Sequence, residues 1–245
     1  MRYIRDTTGR FLMRPHYDPA ELDRECEAIL SKFFGGRFPI PIETDDLTRL
    51  IERHTSDFDP GADLSCYGRD VEGVTEFKPG QKPRVRIAAA LADGADRQNR
   101  YRTTLTHEYG HVRFHGFLFE IEPQVTDLFT PKGVGAREQV CKRNGIINAP
   151  EYDWMEWQAG YVCGSLLMPV THLRRVVSGY LSVNGIFGPV TVGSAHAAAL
   201  IEKVRQEFQV SADAARVRLS QQSYLHARDR DRSRLARAYH GPSVP

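Results

Sequence analysis

No run of apolar residues in this chain is long enough to cross a bilayer. The best candidate, Ile87 to Ala92, covers about a third of the roughly 20 residues that a spanning helix needs. No membrane role is expected. Cysteine is scarce, and Cys26, Cys66, Cys141 and Cys163 lie far apart with no Cys-x-x-Cys pair. That spacing removes zinc-ribbon and thioredoxin-like readings and predicts four reduced thiols in a cytoplasmic protein. Residues 1–15 carry four arginines but neither an apolar core nor a small-residue cleavage site, so export is not expected. Charge of one sign is not in excess either: 33 Lys and Arg stand against 31 Asp and Glu. It is uneven along the chain, however, with 11 acids against 5 bases from Asp18 to Asp59 and 7 arginines against 2 aspartates from Ala214 to the end. With 245 residues, 41% hydrophobic and 26% charged, the chain can bury a core of its own.

Hydrophobic spacing and breakers divide the chain into elements. Leu22, Cys26, Ile29, Leu30 and Phe33 recur at helical spacing in a helix over 19–34, stopped by Gly35-Gly36. Thr44 is the expected N-cap of a helix over 45–54. Residues 57–80 read as a loop-rich region with one or two strands, including Gly73-Val-Thr-Glu-Phe77, and Arg84 to Leu91 as a strand. A helix follows over 97–115, with Gly116 as C-cap and 117–121 extended beyond it. Further helices are expected over 152–168, 169–177, 194–208 and 212–225.

The sharpest chemical feature is His107-Glu108-Tyr109-Gly110-His111, in the middle of the fifth of these segments. Two histidines four apart lie on one helix face, one turn from each other, close enough for both imidazoles to reach one zinc ion at ~2.0–2.1 Å. Glu108 projects beside that face, where a carboxylate can act as general base. His115 adds another turn, but three such histidines span about 12 Å, too far for one small ion. His115 is therefore expected to cap the helix as a cation or to support the ligands. A third ligand is needed, and Glu156 is the best candidate, opening an apolar helix whose burial would aim its carboxylate inward. A first-turn glutamate that stabilises the helix dipole fits the same spacing. Cys163, on the same face as Glu156, is a soft ligand by type but reads more simply as a small buried residue.

Thr104-Leu-Thr-His-Glu-Tyr-Gly-His111, followed by Glu156-x-x-Ala159 and then Leu166-Leu-Met-Pro169, resembles the ImmA/IrrE family of zinc metallo-endopeptidases. The resemblance takes in Gly73 to Phe77 and the strand from Arg84, and covers roughly residues 40 to 225. It implies that His107, His111 and Glu156 are zinc ligands and Glu108 the catalytic residue. It further implies a cytoplasmic protease that cleaves a helix-turn-helix repressor and so derepresses stress-response or mobile-element genes. The expected fold class is then α+β: a gluzincin-like peptidase domain with a small sheet packed on the active-site helices, and C-terminal helices with a helix-turn-helix-like pair. The expected ranges are 1–40 for an N-terminal extension, 41–193 for the peptidase and 194–245 for the C-terminal helices. Gly160 departs from the family, many members of which carry Asn there. The insert between His111 and Glu156, with Cys141 and Asn144 to Asn148, is expected to form a flap.

The strand from Arg84 to Leu91 is expected to offer an edge to an extended substrate, and Tyr109, His115, Tyr152 and Tyr161 are candidates by type for a second oxyanion donor. The competing function is a zinc-containing regulator that binds DNA or protein without proteolysis, with Ser211 capping a helix that offers Arg216 and Arg218 to phosphates. A third is hydrolysis of a small amide. The tail Arg228 to Arg237 carries five arginines and two aspartates and is expected to attract acidic partners weakly without serving catalysis. Truncation after Ala227 should leave zinc content, measured by elemental analysis, and unfolding cooperativity unchanged; loss of either would show that the tail packs on the core.

Overall fold

A computed structural model describes residues 1–92, 97–119, 137–142 and 153–226, with the backbone alone at 92 and 137–142. The architecture is α+β, and the chain divides into two compact units, Met1–Val170 and Thr171–Pro245. The first begins with the hairpin of β1 (Arg2–Arg5) and β2 (Met13–His16). Helix α1 (Pro19–Phe34) follows; Glu21 accepts a hydrogen bond from the Asp18 backbone at its start, and Gly35 ends it in the left-handed region at φ 72°. Then come α2 (Thr44–Glu52), β3 (Asp57–Ala62), β4 (Val71–Phe77), β5 (Arg84–Ala88), the single turn α3 (Ala89–Ala92), α4 (Gln98–His115), β6 (Arg137–Lys142) and α5 (Trp154–Leu167).

Several boundaries differ from the sequence expectation, each for a local reason. Thr44 is the first residue of α2 and Glu43 takes the cap position. The strand expected over 84–91 turns helical at Ala89, where three alanines replace the alternating pattern. Gly116 is in the right-handed helical region and carries the chain into a 3-10 turn, Gly116–Phe119, where an extended segment was expected. The flap residues and Tyr152 lie outside the described residues, apart from the backbone of β6.

The sheet order is β3-β5-β4-β6, with β3 parallel to β5 and the other pairs antiparallel. β5 is therefore hydrogen-bonded on both sides and cannot offer the edge expected of it; among the described residues the outer strands are β3 and β6. Against β4 lies α4, which is buried from Arg102 to His115 except at Arg113. A helix covered all round has no solvent stripe, which is why its polar face can hold a site. α5 packs along α4, and α1 closes over α5, where Asp23 accepts hydrogen bonds from Tyr161 Oη at 3.0 Å and Ser165 Oγ at 2.8 Å.

The second unit holds most of α6 (Val170–Val183), then β7 (Val190–Thr191), α7 (Ala195–Phe208), α8 (Ala212–Gln221) and β8 (Leu225–His226). α6 runs six residues beyond its expected end. α8 stops at Gln221, so that Leu225 and His226 pair in parallel with β7. Ser194 and Ser211 cap α7 and α8, each accepting from the backbone three residues on at 3.1 Å. Leu200, Val204, Phe208, Ala215 and Leu219 are buried in this unit. Arg218, which the competing DNA-binding reading offers to phosphates, is fully buried, and Arg216 is paired with Asp213 at 3.3 Å. The basic tail from Arg228 lies outside the described residues. Among the described residues no helix is long and apolar enough to cross a membrane.

Two glycines in helices give opposite expectations. A Cβ at Gly110 in α4 would stand 2.9 Å from Ala159 Cα of α5, whereas one at Gly179 in α6 would meet nothing within 4 Å. Gly110→Ala should lower stability by about 1–3 kcal/mol through overpacking, more than the ~1 kcal/mol gained in helix propensity. Gly179→Ala should raise it by up to about 1 kcal/mol. Denaturant titration of the two variants checks the opposite signs.

Candidate metal centre

α4 brings His107 and His111 to one face, and α5 meets that face with Glu156 in its first turn. His107 Nε2 and His111 Nε2 are 3.1 Å apart. Glu156 closes the triangle, with Oε2 3.1 Å from His107 Nε2 and Oε1 3.2 Å from His111 Nε2. Both histidines are fully buried and Glu156 is 8% exposed. The three side chains form a group that could hold a metal ion. The edges also fit the ligand-to-ligand spacing of roughly 3.3–3.4 Å that a tetrahedral ion with ~2.0–2.1 Å bonds imposes. Two imidazole nitrogens and a carboxylate converging in the interior form a donor set of the kind that a metal ion takes.

Glu156 and the histidines are also coupled electrostatically. Burial by itself would raise the Glu156 pKa, but the attraction of His111 and hydrogen bonds from both histidines outweigh it and hold the carboxyl well below the usual range. For His111 burial acts downward, and the Glu156 carboxylate overcomes it, so the imidazole is pushed up. Glu156 therefore faces the histidines as an anion. Of the two roles open to it at the start of α5, it takes the inward one.

Glu108 sits beside the triangle, fully buried, against β4. Thr75 Oγ1 donates to its Oε2, and Oε1 has no partner among the described residues. The carboxyl fits there because position 73 is glycine: a Cβ would stand 2.3 Å from Oε1. Burial raises the Glu108 pKa; His111, His107 and the Thr75 hydroxyl pull it back only in part. The group is thus a weaker acid than an exposed glutamate.

The other expected residues fall outside the triangle. His115 is not a ligand: its Nδ1 lies 3.0 Å from His111 Nδ1 and its Nε2 3.1 Å from Gln158 Oε1. Burial, then repulsion from His111, pushes its pKa well below the ordinary value. Cys163 is a buried thiol within hydrogen-bond reach of Thr106 Oγ1 and the Thr103 carbonyl. Among the described residues Cys26, Cys66 and Cys163 form no disulfide; the Cys141 side chain lies outside the described residues. Tyr161 is taken up by Asp23, and Tyr109 points to the far side of α4, its ring 5.5 Å from that of His54, so neither serves as an oxyanion donor in this arrangement. Sequence reasoning missed Gly73, Thr75 and Gln158 as parts of the site. A glycine inside a strand and a lone amide inside an apolar helix were their signals.

His111→Ala should remove most of the metal from protein dialysed against zinc, whereas His115→Ala should leave stoichiometry at saturating zinc near one per chain, by elemental analysis. Gly73→Ala should displace the Glu108 carboxyl while leaving the metal bound. A scan against protein-family models and a search of curated proteins find no match to this chain.

Proposed function

We propose that this protein is a zinc-dependent endopeptidase with a gluzincin-like ligand set, His107, His111 and Glu156, and Glu108 as its proton carrier. One observation carries the reading. A buried carboxylate, fixed on one oxygen by Thr75 and unpartnered on the other, stands beside three converging ligands. Such a glutamate has no purpose in a purely structural site, which would also be expected to close with a fourth ligand.

A zinc ion held by these ligands would supply Lewis acidity toward a carbonyl oxygen and an attacking water. Glu108 takes the proton of that water through Oε1 and delivers it to the departing amine, while the Thr75 hydroxyl keeps the carboxyl from rotating away. Among the described residues β6 is an outer strand of the sheet and pairs with β4, the strand that carries Gly73 and Thr75; an outer strand there suits an extended peptide segment. An edge of that kind favours a polypeptide over a small amide.

The resemblance to the ImmA/IrrE family supports a helix-turn-helix repressor as substrate and a cytoplasmic setting. Burial of Arg218 and pairing of Arg216 with Asp213 favour a protein-contact role for the α7–α8 pair over DNA reading. The test is incubation with candidate repressors and their operator DNA, with and without zinc. Zinc-dependent cleavage, located by mass spectrometry, is expected; tight operator binding without cleavage would favour the non-proteolytic regulator. Glu108→Gln should keep zinc and fold while slowing cleavage by ~10²–10⁴-fold. Wild-type rates in that variant would refute the assigned role.

A further inference from the structure

We propose that the protein carries a further binding site, a basic cleft on the face of α4 opposite the histidines, which takes a small organic anion: a flat apolar ring bearing a phosphate. The site goes beyond the peptidase reading and stands whether or not a metal is bound.

The pitch of α4 keeps the two faces apart. At about 100° per residue, Tyr109, Val112, Arg113 and Gly116 fall within about 100° of one another, on the side turned roughly 170° from His107 and His111. Those four residues form one wall of a cleft of about 870 Å³. Its other walls come from the last turns of α1, the C-terminal end of α2 and the turn between β4 and β5. Clefts of roughly 300–1,000 Å³ are of the size that encloses small ligands. The helix itself stands between this cleft and the His107, His111 and Glu156 side chains.

The cleft has an apolar floor and a basic rim. Leu50, Tyr109 and Val112 are buried in it and the Phe33 ring is partly buried beside them, a surface suited to a flat ring. Lys32, Arg53, Lys82 and Arg113 are exposed around it, and no acidic residue lines it among the described residues. Cations close by in sequence are neutralised: Arg49 pairs with Asp46, Lys78 with Glu76 and Arg84 with Asp57. The four at the cleft have no carboxylate partner among the described residues, although each comes from a different element. The Arg53 guanidinium lies 4.6 Å over the Phe33 ring, and Lys82 Nζ donates to the Arg53 carbonyl at 3.1 Å. Lys82 keeps two further N–H donors, and a guanidinium presents a fork that matches phosphate oxygens.

Tyr109 adds a third observation. Its hydroxyl is buried without a partner among the described residues, so a ligand oxygen would satisfy it. Burial pushes this phenol up and the Arg113 charge pulls it back in part, which places that cation near the hydroxyl.

The test is calorimetric titration of the full chain with 1-naphthyl phosphate and with adenosine monophosphate. Both carry a phosphate and a flat ring, and their relative affinity tells a plain aryl ligand from a nucleotide. One molecule per chain is expected, with a Kd of about 10 μM to 1 mM that weakens as salt rises. Inorganic phosphate and 1-naphthol, each with half of the chemistry, should bind at least about tenfold more weakly. Lys32→Glu and Arg113→Glu should each weaken binding by about tenfold or more, and Tyr109→Phe by about 2–10-fold. Lys203→Glu, the same change of charge at an exposed site on α7, should leave binding unchanged. Circular dichroism and cooperative unfolding of each variant separate loss of the site from misfolding. Phosphate esters also bind zinc, so zinc-free and zinc-loaded protein are both titrated and should give the same affinity. Saturable binding of neither probe, wild-type affinity in both Lys32→Glu and Arg113→Glu, or binding only in the presence of zinc would each overturn the proposal. A wild-type protein that holds no zinc yet binds a probe with the expected variant effects would remove the metal reading and leave this site in place.

Discussion

The close approach of α4 and α5 at Gly110 and Ala159 is the contact on which the rest of the site depends. With no side chain at Gly110, the backbone of α5 comes near enough that even a methyl group would meet Ala159 Cα at 2.9 Å. That approach carries Glu156 in the first turn of α5 to within 3.2 Å of His111, and Gln158 on the next turn to His115. The glycine in the histidine motif is thus a packing residue, and the convergence of His107, His111 and Glu156 is a consequence of how tightly two helices can stack.

A second glycine acts in the same way on the opposite side of α4. Gly73 in β4 leaves room for the Glu108 carboxyl, and Thr75 two residues on, where the strand again faces the helix, supplies the hydrogen bond that orients it. One helix therefore receives a ligand from α5 and an orienting group from β4. Moving either neighbour would unsettle a different part of the constellation, the His107–His111–Glu156 group in one case and the Glu108 carboxyl in the other.

Burying His107, Glu108, His111, His115 and Glu156 together is costly, and the structure meets the cost by giving nearly every polar atom a directional partner. The exceptions are informative. Among the described residues Glu108 Oε1, beside the three converging side chains, and His107 Nδ1 are buried without a partner. His111, by contrast, sits at the inner end of a hydrogen-bond chain that reaches the N-terminal hairpin. The first residues of the chain, which carry no chemistry of their own, are in this way joined to its centre.

Local patterns determined a good deal. Four-residue spacing put His107 and His111 on one face of a helix, apolar periodicity and the glycine pair set the limits of α1, and the span of three histidine turns kept His115 out of the ligand set. These follow from the rise and pitch of a helix, which depend only on near neighbours. What lay beyond that reach was decided by tertiary structure. Glu156 is 49 residues from His107, and nothing in its spacing separates a ligand from a helix-dipole glutamate until α5 is packed on α4. The alternation in Arg84 to Ala88 shows a strand but not its neighbours, so the interior place of β5 emerged only with the sheet. Arg218 reads as a surface cation and is buried, and Gln158 reads as a stray amide and is the link between His115 and Pro15. In each case the physical reason is the same: a polar side chain's role depends on the partner that burial brings to it, and that partner comes from a distant part of the chain.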